Sequence, residues 1–325
     1  MLTLPDFKEK QIVFIVLQYG EKMQFANGNL IVRDLEGKIK LQASCYRLFC
    51  VFVVGSLTIT DKLLQNSRKF GFSIFFLNSS LKVYGSWNSG ANGNFILRSK
   101  QYKYYGFEIG QFLVKNKISN QIRLLNSIRY KDYEIQETIR IAKEYLKSLD
   151  EKNFSDKELL SVEGNVAKLY FKSIFGKYGF KNRRPRVKSD ILNLLLDLGY
   201  TLLFNLIEAI LSIYGFDLYW GVYHKLFFQR KSLVCDMVEP FRCIIDYRIR
   251  KAYSLKQINE KDFSKYNGAY LLFGKESKKY ISFIMEDLLT YKEEIFKFVQ
   301  SYYRSFMKEE SIDRYREFKY KDLKC

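Results

Sequence analysis

The feature that most restricts the fold is a change of hydrophobic period at SGANGN, residues 89–94. Ahead of it, short apolar or alternating runs are broken by turn residues; behind it, apolar side chains recur at helical spacing through most of the chain. This predicts an α+β protein: a β-sandwich-like N-terminal domain over residues 1–94 and a larger all-α domain over residues 95–325. Asn27-Gly28 between Lys22–Ala26 and Leu30–Arg33 is a two-residue hairpin signal. Glu36-Gly37 turns the chain into alternating Ile39, Leu41 and Ala43, and Arg47 to Val54 is an almost continuous apolar strand. Thr60 caps a short helix that runs through Phe70 to Gly71, before strands at Phe72–Leu77 and Val83–Trp87. Ser155 and Glu158 form a capping box that opens a helix to about Gly176.

The chain carries 54 Lys and Arg against 35 Asp and Glu, a net charge of +19, so a polyanionic partner is expected. Nucleic acid comes first, with an anionic membrane surface behind it. The apolar run from Ile191 to Tyr219 is interrupted by Asp197, Glu208 and Asp217, too closely spaced for the ~20 apolar residues of a bilayer span. It is expected to be a buried helix, with no membrane partner. Five cysteines, Cys45, Cys50, Cys235, Cys243 and Cys325, form an odd set without CxxC spacing, which fits a reducing cytoplasm. MLTLPDFKEK at the N-terminus lacks the pattern of a signal peptide, so a cytoplasmic location is expected.

Chemistry is concentrated in two places. His224 is the sole histidine, and Asp236, Glu239 and Asp246 follow on a predicted helix that Pro240 should kink. Asp236 and Glu239, three apart, neighbour each other on one face, and an imidazole beside oxygen ligands suits a divalent metal. Solvated acids on the polar side of an amphipathic helix have the same pattern. Glu163 falls in the middle of an apolar arc made by Leu159, Leu160, Val166, Ala167, Tyr170 and Ile174. A carboxylate there must be paired with a buried Lys or Arg, coordinated or protonated. KYGFKNRRPRVK, residues 177–188, holds six cations in twelve residues with no acid. Lys181, Arg183, Arg184, Arg186 and Lys188, interleaved with aromatics, are candidate contacts to a phosphate backbone and unstacked bases, or else a solvated surface.

Five motifs, in order, make the chain resemble the CRISPR-associated integrase and endonuclease family of the adaptation stage, Cas1. They are ILRSKQY (Arg98, Gln101); KISNQ (Lys117, Asn120, Gln121); VEGNVAKLYF around Glu163; RRPRVKSDILNLLLDLGYTLL (Pro185, Asn193, Gly199, Tyr200); and GVYHKLFFQRKSLVCDMVEPFR. Where many relatives have a proline before the histidine, this chain has Phe216-Asp217-Leu218-Tyr219-Trp220. The resemblance implies a metal held by Glu163, His224 and Glu239, with Asp236 a close fourth, and a hard ion such as Mg2+ or Mn2+ with open positions for a phosphate oxygen and a nucleophile. It further implies that the 3′-hydroxyl of a short DNA fragment attacks a phosphodiester at a repeat boundary by transesterification. The implied partners are double-stranded DNA with single-stranded ends, repeat DNA, a second copy of the chain, and a small ferredoxin-like Cas protein, Cas2. The competing expectation is a non-catalytic DNA-binding scaffold in which Glu163 merely pairs with a buried cation.

Overall fold

In the computed structural model of the chain, a capped turn of helix, α1 (Leu4–Glu9), and a first strand, β1 (Gln11–Val16), lead to the Asn27-Gly28 dipeptide. Both residues have positive φ, 50° and 71°, as a two-residue hairpin between right-twisted strands requires. They join β2 (Lys22–Ala26) to β3 (Asn29–Arg33), and β4 (Ile39–Ser44) extends this antiparallel sheet. A second sheet runs β1, β5 (Leu48–Val54), β6 (Ser73–Leu77), β7 (Val83–Trp87), with the first two pairings parallel and the last antiparallel. Parallel neighbours need a crossover. Helix α2 (Asp61–Phe70) supplies it between β5 and β6, with Thr60 as its N-cap and Gly71 at φ 72° as its C-cap. Strand β5, LFCVFVV, is buried along nearly its whole length, as a central strand flanked on both sides by parallel neighbours should be. Leu30, Val32 and Ala43 of one sheet share a core cluster with Ile15, Val51, Val53 and Ile74 of the other, so the two sheets are layered face to face. Cys45 and Cys50 are free, buried thiols, both pushed up by burial, and they serve packing.

The structure describes residues 3–55, 57–79, 81–89, 93–224, 226–272 and 274–321. They fall into two compact units, Met1–Ser99 with Glu208–Phe216, and Lys100–Ile207 with Asp217–Cys325. Gly90, Ala91 and Asn92 of the linker, and Cys325, lie outside the described residues. Asn94 caps α3 (Phe95–Lys103) by accepting a 3.3 Å bond from the Leu97 amide, and its amide donates to the Tyr214 carbonyl at 2.8 Å. Arg98 likewise donates to the Gly215 carbonyl at 3.0 Å. These bonds explain why Glu208–Phe216 groups with the β-rich unit.

The helical unit is arranged around α4 (Glu108–Ser127), which packs on α5 (Tyr133–Glu151) and α6 (Asp156–Phe175). The Ser155–Glu158 capping box opens α6 as expected. The apolar helix α7 (Ile191–Tyr214) follows; 78% of its most apolar window is buried inside the protein. Pro240 divides the next helical stretch into α8 (Ser232–Val238), a 3-10 turn at Glu239–Phe241, and α9 (Arg242–Ser254). The turn and α9 both rest on α4. Asn267-Gly268 makes a small hairpin of β8 (Ser264–Tyr266) and β9 (Ala269–Leu271), and α10 (Gly274–Thr290) and α11 (Lys292–Lys308) follow.

One face of α4 buries polar side chains, and two buried asparagines there find partners far along the chain. Asn116 donates to the Phe318 carbonyl at 2.8 Å and accepts from the Phe318 amide at 3.1 Å. Asn120 donates to the carbonyls of Phe318 at 3.0 Å and Pro240 at 3.2 Å, and accepts from the Tyr320 amide at 2.8 Å. Residues 315–320 thus form an extended strap held to α4 by these asparagines.

Asp246 is 1% exposed and ties three helices together. The Tyr170 hydroxyl of α6 donates to it at 2.9 Å, and the Tyr200 hydroxyl of α7 donates to its other oxygen. Of the two sequence expectations for the acids after His224, solvation therefore does not hold for Asp246, which is turned inward. Burial pushes the Asp246 carboxyl up to about 6, against the pull of the two hydroxyls and Arg242. The folded protein then holds a proton on Asp246 that the unfolded chain has lost between about pH 4 and 6, so this group's contribution to stability falls as pH rises through that window. Asp246→Asn keeps the shape without the charge. Its stability relative to wild type should improve by about 2–3 kcal/mol between pH 4 and pH 7, from a shift of about two units at 1.36 kcal/mol each, read from urea unfolding at the two pH values.

Candidate active site

The loop that follows α7 carries the histidine, and one carboxylate fixes its shape. Asp236, on α8 and fully buried, accepts four hydrogen bonds from that loop. They come from the backbone amides of Val222 at 2.6 Å, Tyr223 at 3.2 Å and His224 at 2.8 Å, and from His224 Nδ1 at 2.7 Å. Gly221 is required for this close approach: a Cβ there would sit 2.6 Å from Asp236 Oδ2 and 2.9 Å from the Ser232 carbonyl carbon. With Nδ1 donating to a carboxylate, the other ring nitrogen, Nε2, presents its lone pair, which is the tautomer a metal or a proton acceptor role needs. Both oxygens of Asp236 are engaged with this loop. Its carboxylate is thus bonded to the loop, while Glu163 and Glu239 bond Lys117.

Glu163 projects from α6, and Glu239 opens the 3-10 turn that Pro240 imposes. Their carboxylates meet at one cation, the ammonium of Lys117 from α4. Lys117 Nζ pairs with Glu163 Oε1, and lies 2.6 Å from Glu239 Oε2. The side chains of Lys117 and Glu239 are 10% and 3% exposed, so the pair is sealed from water and must be matched. Arg242 completes the match, bonding Glu239 through Nε at 2.8 Å and Nη2 at 2.9 Å, a bidentate fork, while its guanidinium lies 4.5 Å over the Tyr200 ring. The remaining oxygen of Glu163 accepts the Tyr223 hydroxyl at 2.5 Å, so the residue beside His224 is tied directly to Glu163. Burial, then the Glu163 charge, push the Tyr223 phenol far up, which keeps it a donor. Burial also pushes Glu239 up, but Arg242 and Lys117 overcome this and hold it below the ordinary glutamate range. For Lys117, burial pulls down and the two glutamates push up by more, so it stays charged.

The structure therefore brings Glu163, Glu239 and the His224 loop into one bonded network. Among the described residues, no three acid, histidine or cysteine side chains are close enough to hold a metal as they stand. The donor set, two carboxylates that already converge on a cation and an imidazole presenting Nε2, has the chemistry of a hard-ion site.

A family model described as "CRISPR associated protein Cas1" matches residues 14–286. The chain belongs to the Cas1 family. Among similar relatives, "CRISPR-associated endonuclease Cas1 1" of Thermodesulfovibrio yellowstonii is 30% identical over 251 residues, covering 74% of this chain and 79% of that one. A Cas1 endonuclease of Archaeoglobus fulgidus is 27% identical over 281 residues, covering 78% and 81%. The fold resembles that of a Cas1 protein from Thermotoga maritima, with a TM-score of 0.75 at 18% identity over 90% of this chain and 97% of that one. It also resembles a casposase bound to an integration product, with a TM-score of 0.77 at 18% identity over 97% and 96%. The β-rich first part and helical remainder are thus the Cas1 arrangement.

In this Cas1-family chain the basic loop is a built structure rather than a loose one. Arg183 is drawn inward: Nη1 donates to Asn193 Oδ1 at 2.8 Å, Nη2 pairs with Asp197, and the side chain is 15% exposed. The amides of Arg184 and Arg186 donate to Asn193 and Asp197 at 2.9 and 2.8 Å, which clamps the loop over the first turns of α7. Lys181, Arg184 and Arg186 are exposed, and Lys188 is half-buried. Arg183 is committed to this clamp, so the outward-facing charge comes from its neighbours.

Three residues of the site escape a reading based on ligand patterns. Lys117 lies among the buried polar residues Asn116, Asn120 and Gln121, so no apolar stripe singles it out. Tyr223 and Arg242 lie within the GVYHK and EPFR stretches but have no signal of their own. If Asp236 and the close approach at Gly221 set the loop, Gly221→Ala should lower stability by about 1–3 kcal/mol, the range for a broken buried polar network. It should also speed hydrogen exchange at the Val222–His224 amides. Gly176→Ala, where a Cβ meets nothing within 4 Å, should be neutral or stabilising in the same measurements.

Proposed function

We propose that this chain is a metal-dependent DNA endonuclease and integrase of CRISPR adaptation, joining the 3′-hydroxyl ends of short DNA fragments to a repeat array by transesterification. The observation that carries this reading is the meeting of Glu163 and Glu239 on a single cation, with the His224 loop tied to Glu163 through Tyr223. Glu163, Glu239 and His224 Nε2 would hold the ion, Mg2+ or Mn2+, which supplies charge neutralisation at the scissile phosphate. Arg242 keeps Glu239 aimed, Tyr223 keeps Glu163 aimed, and Asp236 keeps the imidazole in the tautomer that presents Nε2. The exposed cations of the 177–188 loop bind the DNA backbone. Double-stranded DNA with single-stranded ends, repeat DNA, a second copy of the chain through the β-rich unit, and a Cas2-type partner complete the assembly, in the cytoplasm. Supporting this, the fold is similar to that of the chain in a Cas6-RT-Cas1–Cas2 complex, with a TM-score of 0.79 at 21% identity over 97% of this chain and 36% of that one.

The Lys117–Glu163 pair favours one rival, a non-catalytic DNA-binding scaffold in which the ion pair is the whole role of Glu163. The two readings separate in a strand-joining assay with purified protein, a Cas2 partner, a short duplex with 3′ overhangs and a repeat-bearing plasmid. Glu163→Gln and His224→Ala should each lower joining by roughly 100-fold or more while DNA affinity stays within about threefold, and chelation should abolish joining in the wild type. Joining that survives both variants and chelation would return the chain to the scaffold role.

The basic loop has its own test. Replacing Lys181, Arg184 and Arg186 with alanine should weaken duplex binding and flatten the plot of log affinity against log salt by up to about 3, at roughly 0.9 for each phosphate no longer neutralised. Titrations between low and moderate salt, followed by fluorescence anisotropy, measure the slope.

A further inference from the structure

Each of the four glutamate oxygens that could ligate an ion already accepts a donor from the protein. Glu163 Oε1 takes the Lys117 ammonium and Oε2 the Tyr223 hydroxyl; Glu239 Oε1 takes Arg242 Nη2, and Oε2 takes both Lys117 Nζ and Arg242 Nε. A Mg2+ or Mn2+ ion bound to the same oxygens at roughly 2.0–2.2 Å would occupy the space the ammonium holds. Two cations cannot share it, so one donor must leave. Arg242 is anchored by its two-pronged bond and by the Tyr200 ring beneath it. Tyr223 is anchored by the Asp236 cradle under its own amide. Lys117 bonds both glutamates, and it does so from the end of a flexible four-carbon stem.

We infer that Lys117 is a built-in counter-cation: it holds Glu163 and Glu239 together in the metal-free protein and must swing out from between them for a divalent ion to enter. The apparent metal affinity of the site is then set by competition with its own lysine. This rests on the metal-dependent reading given above. It assigns Lys117 a positioning role that a purely structural ion pair would not have, because removing the lysine should improve metal binding while it weakens the metal-free fold.

The test is calorimetric titration of Mn2+ into metal-free wild type and Lys117→Met, with melting temperatures measured with and without saturating Mn2+. Lys117→Met should bind Mn2+ at least about tenfold more tightly than wild type, since it no longer has a charged competitor to displace. It should melt lower than wild type without metal, and gain more on Mn2+ addition. Lys117→Gln, which keeps a hydrogen-bonding group without the charge, should shift affinity in the same direction by less, and takes over the test if the Met variant does not fold. Wild type that binds Mn2+ while both variants bind it equally or more weakly would overturn the inference and leave the metal-dependent reading standing. Absence of Mn2+ binding in wild type and in both variants would overturn both.

Discussion

A buried ammonium between two carboxylates is expensive unless every lone pair and proton around it is matched, and the helical unit is built to supply that match. Lys117 comes from α4, Glu163 from α6, and Glu239 and Arg242 from the turn where Pro240 interrupts α8 and α9. A shift of any one of these segments would strand a charge. The packing around them is close. The small residue Gly199 lets α7 approach α9 so closely that a Cβ there would overlap an Ile245 methyl, and Asp246 accepts a hydroxyl from α6 and another from α7.

Around that cluster, the side chains are held from different directions. The histidine is fixed from behind, through three backbone amides and its own Nδ1, all ending on one carboxylate. The carboxylates are fixed from the side, by a guanidinium and a phenol. The ammonium between them sits on a long aliphatic arm. Groups held in this way are fixed in place before anything binds, and preorganisation of that kind lowers the cost of ordering them later.

Much of this is legible in the residues. The hairpin at Asn27-Gly28, the helix between Thr60 and Gly71, the Ser155–Glu158 box and the break at Pro240 are local devices, and local devices are written in adjacent letters. Glu163 stands out as a charge in an apolar arc, which calls for a buried partner of opposite sign without pointing to Lys117. Three features are hidden because they depend on long-range meeting. The parallel pairing of β1 with β5 leaves no trace in either strand alone. The acids after His224 look solvated by helical spacing, yet Asp236 is 0% and Asp246 1% exposed, because loops and helices from elsewhere close over them. Arg183 reads as one more cation in a basic run until Asp197 and Asn193 claim it.

The asparagine-held strap has a consequence for how the molecule is made. Asn116 and Phe318 are 202 residues apart, so α4 emerges from the ribosome long before its polar row has anything to bond. Until residues 315–320 arrive, those amides must stay hydrated, and the helix that carries Lys117 cannot be fully sealed. Closure of the helical unit therefore waits for a segment made long after its central helix.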